Sequence, residues 1–142
     1  MTTVSTILAR KNKPAITLSP ESSVLDSLLI MAEKNIGSVI VKEGEKYLGI
    51  ITERDYSRKV ILKGKDSIST KARDIMSTDL PSVKPEDTID HCMQLMTKHN
   101  IRYMPVFEDN KLSGIISMSD VVKETILSQK ETIDHLQSYI SS

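Results

Sequence analysis

The chain has a single cysteine, no apolar run longer than a few residues and no surplus of charge of either sign. Each absence removes a class of protein. Cys92 has no partner for an internal disulfide, which fits a reducing compartment and predicts a cytoplasmic setting. The longest apolar stretches, such as Val39-Ile40-Val41, fall far short of the roughly 20 residues that cross a bilayer, so no membrane partner is expected. Met1-Thr2-Thr3 is not followed by a basic patch and an apolar core, so no signal peptide is read there. Lysine and arginine number 19, as do aspartate and glutamate, and this balance lacks the basic footprint of a nucleic-acid binder. The locally basic stretches, Arg10-Lys11-Asn12-Lys13 and residues 63–73, read as solvated connectors. No Cys-x-x-Cys or His-x-x-x-His spacing occurs, so His91, His99 and His135 read as exposed polar residues and no metal is expected. No nucleophile stands with a base partner and no carboxylate pair is placed for acid–base work, so no catalytic residue is assigned and the chain is not read as an enzyme.

What the chain does have is a copy of itself. Shifted by 65 positions, Pro20-Glu21 falls on Pro85-Glu86, Asn35-Ile36 on Asn100-Ile101, Gly49-Ile50-Ile51 on Gly114-Ile115-Ile116, and Asp55 on Asp120. A fixed long period marks repeated structural units that bury their faces on one another. At 142 residues the chain is one domain in size and buries about two-thirds of its unfolded surface. The expected body is a pseudo-twofold pair with two related clefts.

Each repeat reads helix, strand, strand, helix. Val24, Leu28 and Met31 keep helical spacing behind Ser19-Pro20-Glu21-Ser22-Ser23, which offers capping hydroxyls and a proline near the first turn. The β-branched run from Gly37 to Val41 predicts a buried strand, and Tyr47 to Thr52 a second one. The second repeat repeats the scheme, with Pro85 opening a helix carried by Ile89, Cys92, Met93 and Met96, then strands over 103–107 and 112–117. A fainter echo, Val4-Ser5-Thr6-Ile7-Leu8 against Ala72-Arg73-Asp74-Ile75-Met76, runs at an offset of 68. It assigns the residues before Pro20 to repeat one. The expected division is 1–65 for the first repeat, 66–130 for the second, and 131–142 for a helical tail. The stripe Ile133, Leu136, Ile140 gives that tail two readings, packing on its own body or a dimer contact.

The chemistry concentrates where a strand meets a helix. Gly49-Ile50-Ile51-Thr52-Glu53-Arg54-Asp55 and Gly114-Ile115-Ile116-Ser117-Met118-Ser119-Asp120 each set an acid three residues after a hydroxyl. Taken once, this is a capping box. Recurring at a fixed offset, it reads as a site. A helix start presents free amides and a positive dipole end to phosphate, and an ionised aspartate accepts from both hydroxyls of a ribose. A glycine in the strand lets a flat group approach the backbone. Arg54 and Arg58 share a helix face, suited either to solvent or to a bidentate grip on phosphate.

These segments, with the Ile75-Met76 lead-in and the strand ending in Met104-Pro105-Val106, resemble the CBS domain, named after cystathionine β-synthase. The resemblance covers about residues 4–129 as a tandem pair, and Thr52 to Lys59 with Lys63-Gly64-Lys65 is similar to small stand-alone bacterial CBS-pair proteins. It implies an α/β (α+β) fold of two β-α-β-β-α repeats in a pseudo-symmetric module, a homodimer, and interdomain clefts that bind an adenine nucleotide. AMP is the first expectation, with ADP, ATP, S-adenosylmethionine or NAD(H) as alternatives. On this resemblance Asp55 and Asp120 would hold ribose, and Thr52 and Ser117, with Arg54, Arg58 and Ser119 beside them, would contact phosphate. Adenine would lie near Thr17, Leu18, Gly37, Ser38 and Val39 in one cleft, and near Ser82, Val83, Arg102, Tyr103, Met104 and Pro105 in the other. Arg102 stands where the family often places a basic phosphate ligand and Gly37 stands in its place in repeat one, so the two sites are expected to differ, one empty or holding a different nucleotide. The implied function is regulation of an unidentified partner protein by nucleotide occupancy. The alternative is a scaffold for interaction or oligomerisation that needs no nucleotide.

Overall fold

The computed structural model describes residues 2–141. Its elements are α1 (Val4–Lys11), β1 (Thr17–Leu18), α2 (Val24–Lys34), β2 (Ser38–Glu43), β3 (Lys46–Thr52), α3 (Glu53–Lys59), a 3₁₀ turn at Ile61–Lys63, α4 (Ala72–Ile75), α5 (Ile89–His99), β4 (Tyr103–Glu108), β5 (Lys111–Ser117) and α6 (Met118–Ser141). This is the mixed α/β pattern expected. The chain forms two compact units, a continuous one over Pro14–Leu80 and a discontinuous one made of the residues up to Lys13 and those from Pro81 onward.

In the continuous unit, β1 runs parallel to β2 and β2 antiparallel to β3. The β-branched run does what its composition predicts, since Val39 and Val41 are fully buried with Val24, Met31, Ile51, Val60, Ala72 and Ile75. Helix α2 starts where the Ser23 hydroxyl accepts from the Asp26 amide at 3.1 Å, and stops at Asn35, whose φ of 54° lies in the left-handed region. Asparagine tolerates that conformation because its short polar side chain hydrogen-bonds locally. In the discontinuous unit the same devices recur. Thr88 caps α5 by accepting from the His91 amide at 3.1 Å, and Asn100 ends it at φ 52°. Strands β4 and β5 pair antiparallel, and Val83 bridges Val106 in parallel where the other unit has β1. The core here is Val4, Ile7, Val83, Ile89, Cys92, Met96, Met104, Val106, Ile116 and Val121. Burial pushes the Cys92 thiol up to about 11, so it stays protonated and packs as an apolar side chain. Both hairpins slip register at one place, between Val41 and Lys42 and between Val106 and Phe107. Each bulge lies just ahead of the Gly-Ile-Ile segment and ends in a regular ladder that presents it.

One expectation changes. Pro20 and Pro85 do not open helices, which begin at Val24 and Ile89. Their carbonyls accept instead from the amides of Arg73 at 3.0 Å and Ser5 at 2.9 Å. Those bonds belong to a matched set. The amide of Ala72 donates to Ser22 and that of Val24 to Thr70, both at 2.8 Å; the amide of Val4 donates to Asp87 at 2.9 Å and that of Ile89 to Thr2 at 3.2 Å. Each lead-in segment thus pairs with the helix start of the repeat it does not precede. The compact units are thus made of parts of both repeats, each taking in the other repeat's lead-in. Helix α6 runs unbroken from Met118 to Ser141, so the tail continues it. Its residues 129–140 are exposed throughout.

The close approach of the lead-in to the sheet gives a test. A Cβ on Gly49 would stand 2.6 Å from the Ser77 carbonyl oxygen, a backbone atom, whereas one on Gly114 would meet only the movable Leu8 Cδ2 at 3.0 Å. Gly49→Ala is expected to cost about 2 kcal/mol and Gly114→Ala clearly less, as read from urea unfolding midpoints. Equal losses would refute the backbone contact as the cause.

Candidate functional site

The first hydroxyl–aspartate corner forms where β3 passes into α3. Thr52 has extended backbone (φ −120°, ψ 164°) and opens the helix by a full capping box. Its hydroxyl accepts from the Asp55 amide at 3.1 Å and donates to Asp55 Oδ2 at 3.0 Å, and its own amide donates to that oxygen at 3.0 Å. The other oxygen is used as fully. Ser77 Oγ donates to Oδ1 at 2.8 Å, and Lys59, one helical turn on, pairs with it at 2.9 Å. Lys59 also donates to the Ile75 carbonyl at 2.9 Å. Ser77 is held in place because it exchanges backbone bonds with Ile50 at 2.8 and 3.0 Å. A carboxylate has about four acceptor positions, and Asp55 receives four donors with only 6% of its side chain exposed. Asp55, expected to hold a ribose, is a buried carboxylate whose acceptor positions are taken within its own unit.

The second corner shares the frame and differs in its partners. The Ser117 amide donates to Asp120 Oδ2 at 2.9 Å and the Ser117 hydroxyl accepts from the Asp120 amide at 3.1 Å. No serine stands where Ser77 does: its counterpart at the 68-residue offset is Ala9, and α1 stays helical through Lys11 while its counterpart α4 ends at Ile75. The three extra residues behind the 68-residue offset give α1 room for this further turn. That turn delivers Lys11, whose Nζ lies 2.8 Å from Asp120 Oδ2 and donates to the Ile115 carbonyl at 3.0 Å. The position matching Lys59 is Glu124, a nearly buried carboxylate that takes Arg10 as its ion-pair partner. Asp120 keeps 20% of its side chain exposed.

The other predicted residues distribute around these corners. Thr17 and Leu18 pair with Ile40 and Val41 on β1 and β2. Ser38 and Val39 are buried opposite Thr52 and Ile51. The Gly37 carbonyl accepts from the Glu53 amide at 3.2 Å, and the Arg102 carbonyl from the Met118 amide at 2.8 Å, so both close the strand–helix junction from the neighbouring strand. Tyr103 faces Ser117 in the ladder, Met104 and Pro105 are buried, and Val83 is buried beside exposed Ser82. Arg58, Arg102 and Ser119 are exposed and Arg54 is half-buried. Sequence reading missed Ser77 and Lys11. Arg10 and Lys11, read as a solvated connector, end a helix and are ion-paired. Lys71 and Arg73, in the other basic stretch, both bind Glu21, whose carboxyl they hold below its usual range. The opposite charges at 59 and 124 were a sequence signal that the second corner lacks a counterpart of Lys59.

The family model described as CBS domain matches residues 4–61 and 72–126. The chain is 39% identical to the mitochondrial CBS domain-containing protein CBSX3 of Arabidopsis thaliana, over 98% of this chain and 72% of that protein. Its fold matches the crystal structure of a CBS-domain-containing protein from Agrobacterium tumefaciens with a TM-score of 0.82 at 33% identity, covering 87% of this chain and 99% of the other. A CBS domain protein from Pyrobaculum aerophilum, solved in complex with AMP, matches in fold with a TM-score of 0.72 at 21% identity, over 83% of this chain and 88% of that one.

The difference between the corners is mechanical as well as chemical. Asp55→Ala removes the carboxylate that accepts from the Thr52 amide and hydroxyl and leaves the Ser77 hydroxyl and Lys59 ammonium without this acceptor, so it is expected to cost about 2 kcal/mol as a buried, fully bonded acceptor. Asp120→Ala is expected to cost about half as much. Thermal and urea unfolding check this, and equal losses would make the corners equivalent.

Proposed function

The chain belongs to the CBS-domain family, and on that premise we propose that it is a regulatory module that binds an adenine nucleotide and transmits its occupancy to a partner protein. The observation that carries this reading is the Asp120 corner. It combines a partly exposed carboxylate with two engaged donors among the described residues, the Ser117 hydroxyl, and exposed Ser119 in the first turn of a 24-residue helix. The amides and dipole at that helix start favour a phosphate, and the carboxylate suits ribose hydroxyls. Adenine would lie along Ser82, Val83 and residues 102–105. The AMP complex of the Pyrobaculum protein supports AMP as first choice, with ADP, ATP and NAD(H) as alternatives.

In this reading Asp55 is a structural lock and Asp120 the ribose acceptor, with one nucleotide per chain. A filled corner favours one arrangement of a dimer or partner surface by binding it more tightly than the other. The homodimer is proposed to use α6, where Ile126, Ile133 and Ile140 recur every seven residues with Val122 one turn ahead of them and Leu136 between the last two, all exposed. Such spacing is that of a helix seam paired with a second copy. The buried single thiol supports a reducing, cytoplasmic setting, and no helix among the described residues is long and apolar enough to cross a membrane.

Native mass spectrometry with added AMP, ATP and NADH tests the reading. The expected result is a dimer that retains one adenine nucleotide per chain, with affinity at least tenfold weaker in Asp120→Ala and little changed in Asp55→Ala once stability is matched. A dimer that retains none of the three would replace this reading with the nucleotide-independent scaffold.

A further inference from the structure

The two corners solve one electrostatic problem in opposite ways. A carboxylate at a helix start needs a cation, and Asp55 takes it from its own helix through Lys59. On α6 the matching residue is Glu124, and the cation that pairs with Asp120 comes from α1 instead. Both carboxylates are served from α1, Glu124 by Arg10 and Asp120 by Lys11. The charge at the lead-in is inverted too, since the residue matching Lys11 at the 68-residue offset is Asp79. Lys11 is thus a specific feature of one corner, brought by a separate element that ends at the next residue, where Asn12 turns left-handed at φ 41°.

The two ion pairs differ in how far the carboxylate is buried. Lys59, 43% exposed, meets a carboxylate that is 6% exposed and shared with Ser77. Lys11 and Asp120 are 38% and 20% exposed, a half-solvated pair of the kind that contributes little and exchanges readily. Both acceptors of Lys11 Nζ, the Asp120 carboxylate and the Ile115 carbonyl, belong to the corner itself. We infer that Lys11 is the specificity-determining residue of the Asp120 corner, occupying it in place of a ligand and selecting phosphorylated over unphosphorylated nucleosides. The inference rests on the reading of Asp120 as a ribose acceptor. A ribose must compete with the ammonium for that carboxylate. A nucleoside displaces it and gives it no new partner, whereas a nucleotide brings a phosphate to receive it. A compact ammonium on a flexible stem is suited to such an exchange.

Calorimetric titration of the full chain with adenosine and with AMP tests this. The wild type is expected to prefer AMP by at least tenfold. In Lys11→Met, which keeps the stem and helix propensity, the preference falls about tenfold, with adenosine bound more tightly and AMP less so. Lys11→Arg restores it. Arg10→Met removes the other ion pair of α1 and is expected to leave the preference intact. A preference unchanged in Lys11→Met overturns the inference alone, and so does an equal loss in Arg10→Met, which would trace the effect to docking of α1. A wild type that binds neither ligand overturns the inference together with the ribose reading on which it rests.

Discussion

Backbone hydrogen bonds between each lead-in segment and the helix start of the other repeat are the constraint on which everything else in this molecule rests. Residues 70–73 bond to residues 20–24, and residues 2–5 to residues 85–89, by the same pattern of amide to carbonyl. Side chains then fill the geometry these bonds impose. Ile75 and Ala72 complete one core and Val4 and Ile7 the other. The same docking determines what reaches each aspartate. Where the lead-in leaves its helix early, Ser77 pairs with β3 and donates to Asp55; where it stays helical, Lys11 arrives at Asp120. A difference of one helical turn in a segment far from α3 and α6 in sequence therefore decides the chemistry at their first turns.

The two corners share one motif and differ in how fully its carboxylate is used. Thr52 and Ser117 both cap, and both aspartates return a bond to the cap amide. The capping box is common to both, so it cannot by itself mark a ligand site. What separates them is the remaining acceptor capacity of the carboxylate. Asp55 has used all of its own inside the continuous unit and Asp120 has not. A duplicated motif can in this way keep its fold-forming part in both copies and leave carboxylate acceptor capacity in one.

Much of the fold was legible because it rests on local rules. The β-branched run over 38–41, the hydroxyls at Ser23 and Thr88, and the asparagines at 35 and 100 act through propensity, capping and left-handed tolerance, all of which are written in short windows of sequence. The 65-residue repeat carried the second half. The exchange of lead-in segments was not legible, because a sequence offset says which segments are alike and nothing about which of them touch. Lys11 was misread for the same reason: in sequence it opens a polar stretch, and only the docking of α1 sets it on Asp120. Pro20 and Pro85 looked like helix openers, yet their carbonyls were needed elsewhere, four residues ahead of the true helix starts.

The exchanged segments impose an order on how the chain can assemble as it is made. The continuous unit is complete once Leu80 has been synthesised, with its sheet, its helices and its own lead-in all in hand. The other unit is closed by the two ends of the chain. Until Ile116 and Val121 exist, Val4 and Ile7, which finish fully and almost fully buried, have no core to enter. Helix α1 is therefore packed only after the residues beyond Pro81 have been made, and a chain arrested midway leaves its Val4 and Ile7 face without a core.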